Sequence, residues 1–285
     1  MLNLFTTLFI NLIKLIDLFF KILFKIDFYG FLNDKIFQRF QIIFIAKKKL
    51  KFLVPNHITK WRIDTFFEKE PETLEWIKKF EKNKKIIFWD IGSNIGIYSI
   101  YAAVLHKKIN IYAFEPSFLN LHILSRNIHI NKLNKKINIF QLPLTNKKNK
   151  FQYMNESTNS FGGALSSFGS NKNQEGKKTN FINSYAIVGT TLDSAVDSRI
   201  IELPDYIKID VDGLEHIILN GFSKHISNKR IKSILVEITE NYKEQKNYVE
   251  NIMRKSNFVL QNKEQSEISR KGSSKTFNYI YYKKI

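Results

Sequence analysis

The sequence predicts an α/β protein, a doubly wound and mostly parallel sheet preceded by a helical, amphipathic extension. Three observations lead there. Short apolar runs alternate with helix-period segments from Lys84 onward, the first of these runs ends in an acid and a two-glycine turn, and residues 1–82 lack that alternation. The expected division is 1–82 as extension and 83–285 as the sheet domain, which suits a chain of 285 residues.

The extension begins with Met1 to Phe28, mostly Leu, Ile and Phe. Lys14, Asp17, Lys21 and Lys25 interrupt it too often for a membrane span, and it lacks the basic start and small-residue cleavage site of a secretory signal. Asn3, Thr7, Asn11, Lys14, Asp17, Lys21 and Lys25 recur every three or four residues. On a helix they occupy a sector of roughly 120° and leave the rest apolar. Such a helix either lies in a membrane interface, its lysines snorkelling to the headgroups, or packs on protein. Each lysine near an anionic leaflet adds about 1 kcal/mol, and Lys47, Lys48, Lys49 and Lys51 extend the set. Gly30 is placed to end the helix, and residues 33–80 read as helical connecting structure punctuated by Pro55 and Pro71.

From Lys84 the elements follow in order: strand Lys85–Trp89, helix Asn94–Leu105, strand Ile109–Phe114, helix Ser117–Asn131 and strand Ile137–Leu142. Periodicity then fails from about Thr145 to Asn183, a stretch of Asn, Ser, Gly and Lys with room for one strand at Lys150–Met154. A loop of that length in a compact domain is usually a lid, a binding loop or a disordered insert. The alternation resumes with strand Tyr206–Val211, helix Leu214–Phe222, strand Ile231–Ile238 and helix Tyr242–Ser256, and closes on a hairpin of Phe258–Gln261 with Phe277–Tyr282.

Composition narrows the function classes. Apolar residues form 44% of the chain, enough for a real core. There is no cysteine, so disulfides, thiolate zinc sites and cysteine nucleophiles are excluded together, in keeping with a cytoplasmic protein. The net charge of +19 fits a solvated lysine-rich surface, an anionic membrane or an acidic acceptor. The lysines are scattered, with no zinc-finger, RNP-type or helix-turn-helix pattern, which argues against nucleic acid. The six histidines show no metal-ligand spacing.

Two places carry chemistry. Phe88-Trp89-Asp90-Ile91-Gly92-Ser93-Asn94-Ile95-Gly96 is a buried strand that ends in an acid and turns through two glycines into a helix. The helix N-terminus offers free N–H groups and partial positive charge to an anionic or zwitterionic ligand. Phe114-Glu115-Pro116 ends the next strand 25 residues after Asp90, where an acid accepts hydrogen bonds from a ribose diol. The pair points to a nucleoside ligand. The second place is Lys208-Ile209-Asp210-Val211-Asp212-Gly213-Leu214-Glu215, at the carboxyl end of a strand beside that loop. Three acids and a lysine converging there suit general acid–base work, and Asp210 and Asp212 are the pair a divalent cation would choose, although nothing else in the sequence asks for one.

Four ordered elements resemble the FkbM-type methyltransferases over roughly 85–260: Asp90-Ile91-Gly92-Ser93-Asn94-Ile95-Gly96, Glu115-Pro116, Thr191-Leu192-Asp193, and Lys208 through Glu215, with Gly221 following. The family often has Ala where Ser93 stands and Glu where Asp212 stands. The resemblance implies a Rossmann-like class I methyltransferase fold, a seven-stranded sheet whose last strand is antiparallel. It implies S-adenosylmethionine as donor and O-methylation of a sugar, glycan or related small-molecule hydroxyl. On that reading Asp90, Gly92, Ser93, Asn94, Gly96, Glu115 and Pro116 form the cofactor site. Asp210, Asp212 and Glu215 are the candidates for handling the acceptor, with Lys208 as electrostatic tuner. Two rival readings remain in view: a non-catalytic or membrane-tethered scaffold on the same fold, and an NAD-dependent oxidoreductase, a class that wants a Tyr-x-x-x-Lys pair after the fourth strand as well as the G-x-G-x-x-G fingerprint, which is not satisfied here.

Overall fold

The computed structural model describes residues 1–265 and 275–284. The extension starts with α1 (Leu2–Phe24) and α2 (Phe28–Phe37). Asp17 joins them, its carboxylate accepting the Tyr29 N–H at 2.9 Å and pairing with Lys21 at 2.7 Å. Two strands follow, β1 (Phe40–Ile45) and β2 (Lys48–Leu53), paired antiparallel where the sequence reading expected helix. The reason is legible in the burial: Ile45, Leu50, Phe52 and Leu53 enter the core while Phe40, Ile42 and Phe44 stay outside, a period of two and not 3.6 along β1. Three helices complete the first eighty residues, α3 (His57–Asp64), α4 (Phe66–Lys69) and α5 (Pro71–Lys78). Asn56 caps α3 by accepting the Thr59 N–H, and Pro71 starts α5, where its missing N–H costs nothing.

The expected alternation then appears as β3 (Ile86–Ile91), α6 (Ile97–Leu105), β4 (Ile109–Phe114), α7 (Phe118–Ile130) and β5 (Ile137–Phe140). The irregular stretch contains more structure than its sequence suggests. β6 (Lys150–Glu156), β7 (Ser167–Phe168) and β8 (Asn183–Gly189) form a separate three-stranded antiparallel sheet in the order β7-β6-β8. The chain returns through α8 (Leu192–Asp197), β9 (Tyr206–Ile209), α9 (Glu215–Asn220), β10 (Ser233–Thr239), α10 (Lys243–Lys255) and the closing hairpin β11 (Phe258–Glu264) and β12 (Thr276–Lys283).

The main sheet has seven strands in the order β11-β12-β10-β9-β3-β4-β5. β5, β4, β3, β9 and β10 are mutually parallel, and β12 runs antiparallel to both its neighbours. β3 lies at the switch point, where β4 and β5 lead off one way and β9 and β10 the other, and ligands of open α/β sheets bind outside the carboxyl ends of such strands. Alternate residues of the same strands feed two cores. Phe88, Ile111 and Leu235 face a cluster completed by α6, α7 and residues 45–80, while Trp89, Phe114 and Ile209 face one completed by α8, α9 and α10. The hairpin and helices α3–α5 thus cover one side of the sheet as ordinary core elements, and α1 contributes to neither cluster.

This arrangement sets a stability contrast. Phe52→Ala, which empties a fully buried position, is expected to cost about 3–5 kcal/mol in urea denaturation. Phe44→Ala on the outer face of the same hairpin is expected to change stability by less than about 0.5 kcal/mol.

Candidate active site

The carboxyl end of β3 turns back on itself at Gly92. Its φ is +82°, and a Cβ built there would stand 1.8 Å from the Asp210 carbonyl oxygen, so the turn fits against the end of β9 only without a side chain. Gly92 and Ser93 donate their N–H groups to the Phe114 carbonyl, both at 3.0 Å, and Asn94 donates its N–H to Glu115 Oε2 at 2.7 Å. Gly96, at φ +87°, N-caps α6 and packs so closely on Leu124 that a Cβ would reach 2.5 Å from its Cδ1. Asp90 turns inward and accepts the Ser99 hydroxyl at 2.5 Å, while its Oδ1 is buried without a partner.

Glu115 is nearly buried at the end of β4. Its two oxygens take the N–H groups of Asn94 and Ser117, at 2.7 and 2.9 Å, and burial pushes its carboxyl up to about 7. Across the switch point Lys208 is fully buried and its ammonium lies 2.6 Å from Asp210 Oδ2 and 4.9 Å from the centre of the Tyr98 ring. Burial opposes its charge, but the carboxylates of Asp210, Glu70 and Asp90 outweigh that and hold its proton more firmly than in water. Asp212 sits just past β9 at φ +58°, and its Oδ2 accepts the Leu165 N–H at 2.6 Å. Burial and the neighbouring Asp210 raise its carboxyl to about 6.

These groups line one cavity of about 540 Å³ at the carboxyl ends of β3, β4, β9 and β10. Gly92, Ser93, Asn94, Glu115 and Pro116 form one side of it, and Lys208, Asp210 and Asp212 its other wall. Three of the residues expected at the site are absent from the cavity lining: Asp90, Gly96 and Glu215. Glu215 is the clearest case. It is fully buried, accepts the N–H groups of Val211 at 2.9 Å and Gly213 at 3.1 Å, and takes a further hydrogen bond from Gln245 Nε2. Its carboxylate therefore shapes the turn that carries Asp212, whereas the sequence reading placed it among the groups that meet the acceptor. The neighbouring His216 is buried against Tyr242.

The structure adds residues that motif reading did not single out. Glu237 on β10 brings a third carboxylate to within 4.8 Å of those of Asp210 and Asp212, and burial and its acidic neighbours hold its proton well above the usual range. Oxygens at that separation could be bridged by a cation, although Lys208 already supplies one positive charge to Asp210. Glu70, at the start of α5, accepts the Tyr98 hydroxyl at 2.7 Å and pairs with Lys69 at 2.6 Å. Burial works against its charge, but Lys69 and Lys208 bring its carboxyl down to about 2. Over the cavity lies residues 159–165. Gly163 O accepts from Asn94 Nδ2 at 2.7 Å and Asn120 Nδ2 at 3.1 Å, Arg62 Nε donates to Gly162 O at 2.7 Å, and Leu165 reaches Asp212. The room left for a strand at Lys150–Met154 is filled by β6, but nothing local marks Gly162 and Gly163 as a roof.

Thr191-Leu192-Asp193 lies away from the cavity. Thr191 caps α8, and Asp193 accepts the N–H groups of Lys224 and His225 just after Gly221. Asp193 donates its N–H to the Gly221 carbonyl at 2.9 Å, and a Cβ on Gly221 would meet the Thr145 carbonyl oxygen at 2.2 Å, so this element clasps the end of α9. Tyr242 and Lys246 have the Tyr-x-x-x-Lys spacing of a dehydrogenase couple, but Tyr242 packs on His216, Lys246 pairs with Glu240, and neither lines the cavity.

A seven-stranded sheet of this order with one antiparallel strand, bearing a glycine turn at β3 and an acid at the end of β4, is the Rossmann-like class I methyltransferase fold. The sequence model of the methyltransferase FkbM domain matches residues 90–262, and the chain belongs to that family. No curated protein matches the chain. Among solved structures it is similar to the precorrin-6y C5,15-methyltransferase of Geobacter metallireducens GS-15, at 12% identity over 75% of this chain and 87% of that chain, TM-score 0.42. It is also similar to M. jannaschii TYW2 in complex with AdoMet, at 15% identity over 87% and 88%, TM-score 0.44. A third, M. capricolum TrmK in complex with S-adenosyl-homocysteine, is 14% identical over 74% and 67%, TM-score 0.44.

Glu215 gives a test that needs no substrate. Its carboxyl titrates near 7 when folded, raised by burial, and near 4.5 when free, so its contribution to stability is full below pH 4.5 and is lost as pH rises through 7. Glu215→Ala, which strands the N–H groups of Val211 and Gly213, is expected to cost about 3 kcal/mol in urea denaturation. Glu215→Gln is expected to cost less and to flatten stability between pH 5 and 7.

Proposed function

We propose that this methyltransferase uses S-adenosylmethionine to methylate a hydroxyl of a sugar, glycan or related small-molecule acceptor. The observation that carries the reading is that the Glu115 side and the Lys208–Asp210–Asp212 side line a single cavity. The donor set fits a nucleoside with a zwitterionic tail. Glu115 stands on the cavity wall, held by the N–H groups of Asn94 and Ser117 and placed to accept from a ribose diol, and Gly92, Ser93 and Asn94 lie next to it for the methionine part. When bound, the cofactor supplies a methyl carbon on a sulfonium, open to in-line attack by an acceptor oxygen.

The chain's own residues have two tasks, alignment of the acceptor and relief of its proton. Asp212 is the base in this reading. Its Oδ2 is held by Leu165, which leaves Oδ1 for the hydroxyl proton, and a carboxyl at about 6 is ionised at neutral pH yet more basic than an ordinary aspartate. Asp210 is engaged by Lys208 and serves to orient the hydroxyl. Glu237, kept protonated, donates to an acceptor oxygen. Glu215 and Asp90 act through the backbone and helix they hold, as positioning residues.

Two measurements check this. In calorimetric titrations S-adenosylmethionine and S-adenosylhomocysteine are expected to bind and NAD is not, with Glu115→Ala weakening both by on the order of tenfold. A folded sample that binds neither would remove the proposal. With an acceptor in hand, kcat/KM is expected to fall as pH drops through about 6, where Asp212 takes up its proton. Asp212→Asn should abolish most of the rate while leaving cofactor affinity unchanged, and full activity in that variant would reassign the base.

A further inference from the structure

We propose that residues 1–54 dock the protein on an anionic lipid bilayer, with α1 lying in the interface and the outer face of the β1–β2 hairpin beside it. α1 exposes Leu8, Leu12, Leu15, Phe19, Ile22 and Leu23, each more than half accessible, and none of its described residues joins either hydrophobic cluster of the core. Its apolar arc covers roughly 240° of the helix surface, far broader than the seam through which two helices pair. A surface of that width suits immersion in lipid better than a line of contact with one partner helix. Among the described residues no helix is long and apolar enough to cross a membrane, so α1 is expected to lie along it.

Charge specifies the lipid. Residues 1–54 hold nine basic and three acidic side chains. Two of the three acids are compensated within the segment, Asp17 by Lys21 and the Tyr29 N–H and Asp27 by Lys21. Lys14, Lys25 and Lys35 are exposed along the two helices. The hairpin repeats the combination independently. On its outer face Phe44 stands directly opposite Lys49, and Ile42 opposite Lys51, all four exposed, while Ile45, Leu50 and Phe52 turn inward. Rings and aliphatic chains interleaved with lysines match a boundary that is apolar below and anionic above. The segment also touches the cavity's roof, the Phe37 ring lying 5.4 Å from that of Phe161.

Co-sedimentation of the full chain with phosphatidylcholine vesicles, with and without phosphatidylserine, tests this. Partition onto the anionic vesicles is expected to be tighter by on the order of tenfold or more, and to fall steeply with added salt. The combined Leu8→Glu, Leu15→Glu and Phe19→Glu variant is expected to lose binding about tenfold with an unchanged unfolding transition, since all three positions are exposed. Lys49→Glu with Lys51→Glu should weaken binding to anionic vesicles and leave any binding to neutral ones as it was. Equal partition onto both vesicle types would overturn the proposal, as would undiminished binding by the triple variant. So would a salt-resistant dimer in light scattering that ignores vesicles and that the triple variant dissociates, which would assign the face to a second copy of the chain.

Discussion

A fully buried ammonium sets the terms for this fold. Lys208 rises from β9 at the centre of the sheet, where an unpaired charge would be far too costly, and the structure surrounds it with acids. Asp210 binds it directly at 2.6 Å, and Glu70 and Asp90 add their fields from α5 and β3. Tyr98 of α6 lays its ring beside the ammonium and donates its hydroxyl to Glu70. Four separate stretches of chain are thus drawn to one point. This is why α4 and α5 belong to the site although they precede the sheet in sequence, and why Glu70 carries a charge at a depth where a carboxyl would otherwise be neutral.

The same point fixes where chemistry is available. Asp210 spends its charge on Lys208, whereas Asp212, two residues on and held in a left-handed turn, keeps a raised and usable carboxyl. Glu215 holds that turn from beneath. Gly92 lets the loop after β3 press against the carbonyl of Asp210, so the two halves of the cavity share a backbone contact. The roof at 159–165 is tied to both halves, to Asn94 on one side and Asp212 on the other.

Much of this was legible in the sequence, for definable reasons. The central parallel strands β3, β4, β9 and β10 are buried on both faces and announce themselves as short apolar runs, and strand-end acids mark the switch point. The β1–β2 hairpin did not. Its turn residues are Ala46 and Lys47, both at positive φ, where asparagine or glycine usually gives the signal, and its alternation is hidden by a lysine run. Glu237 was lost within the apolar strand that carries it, and Glu70 within the stretch read as helical connecting structure. Glu215 shows the opposite failure: an acid next to the site in sequence whose carboxylate turns to the backbone beneath it. Proximity along the chain located the cluster, but only the packing separates groups that meet a ligand from groups that hold the loop.

The central claim is that one cavity, roofed by residues 159–165, receives the cofactor against Gly92–Asn94 and Glu115. Amide hydrogen exchange of the full chain with and without S-adenosylhomocysteine tests it most directly. Protection is expected in 91–96, 114–117 and 159–165, with 1–30 unchanged, because the ligand closes the nucleoside side and steadies the roof bonded to it. Saturating ligand that protects none of these segments, or protects a different region of the sheet, would contradict the account.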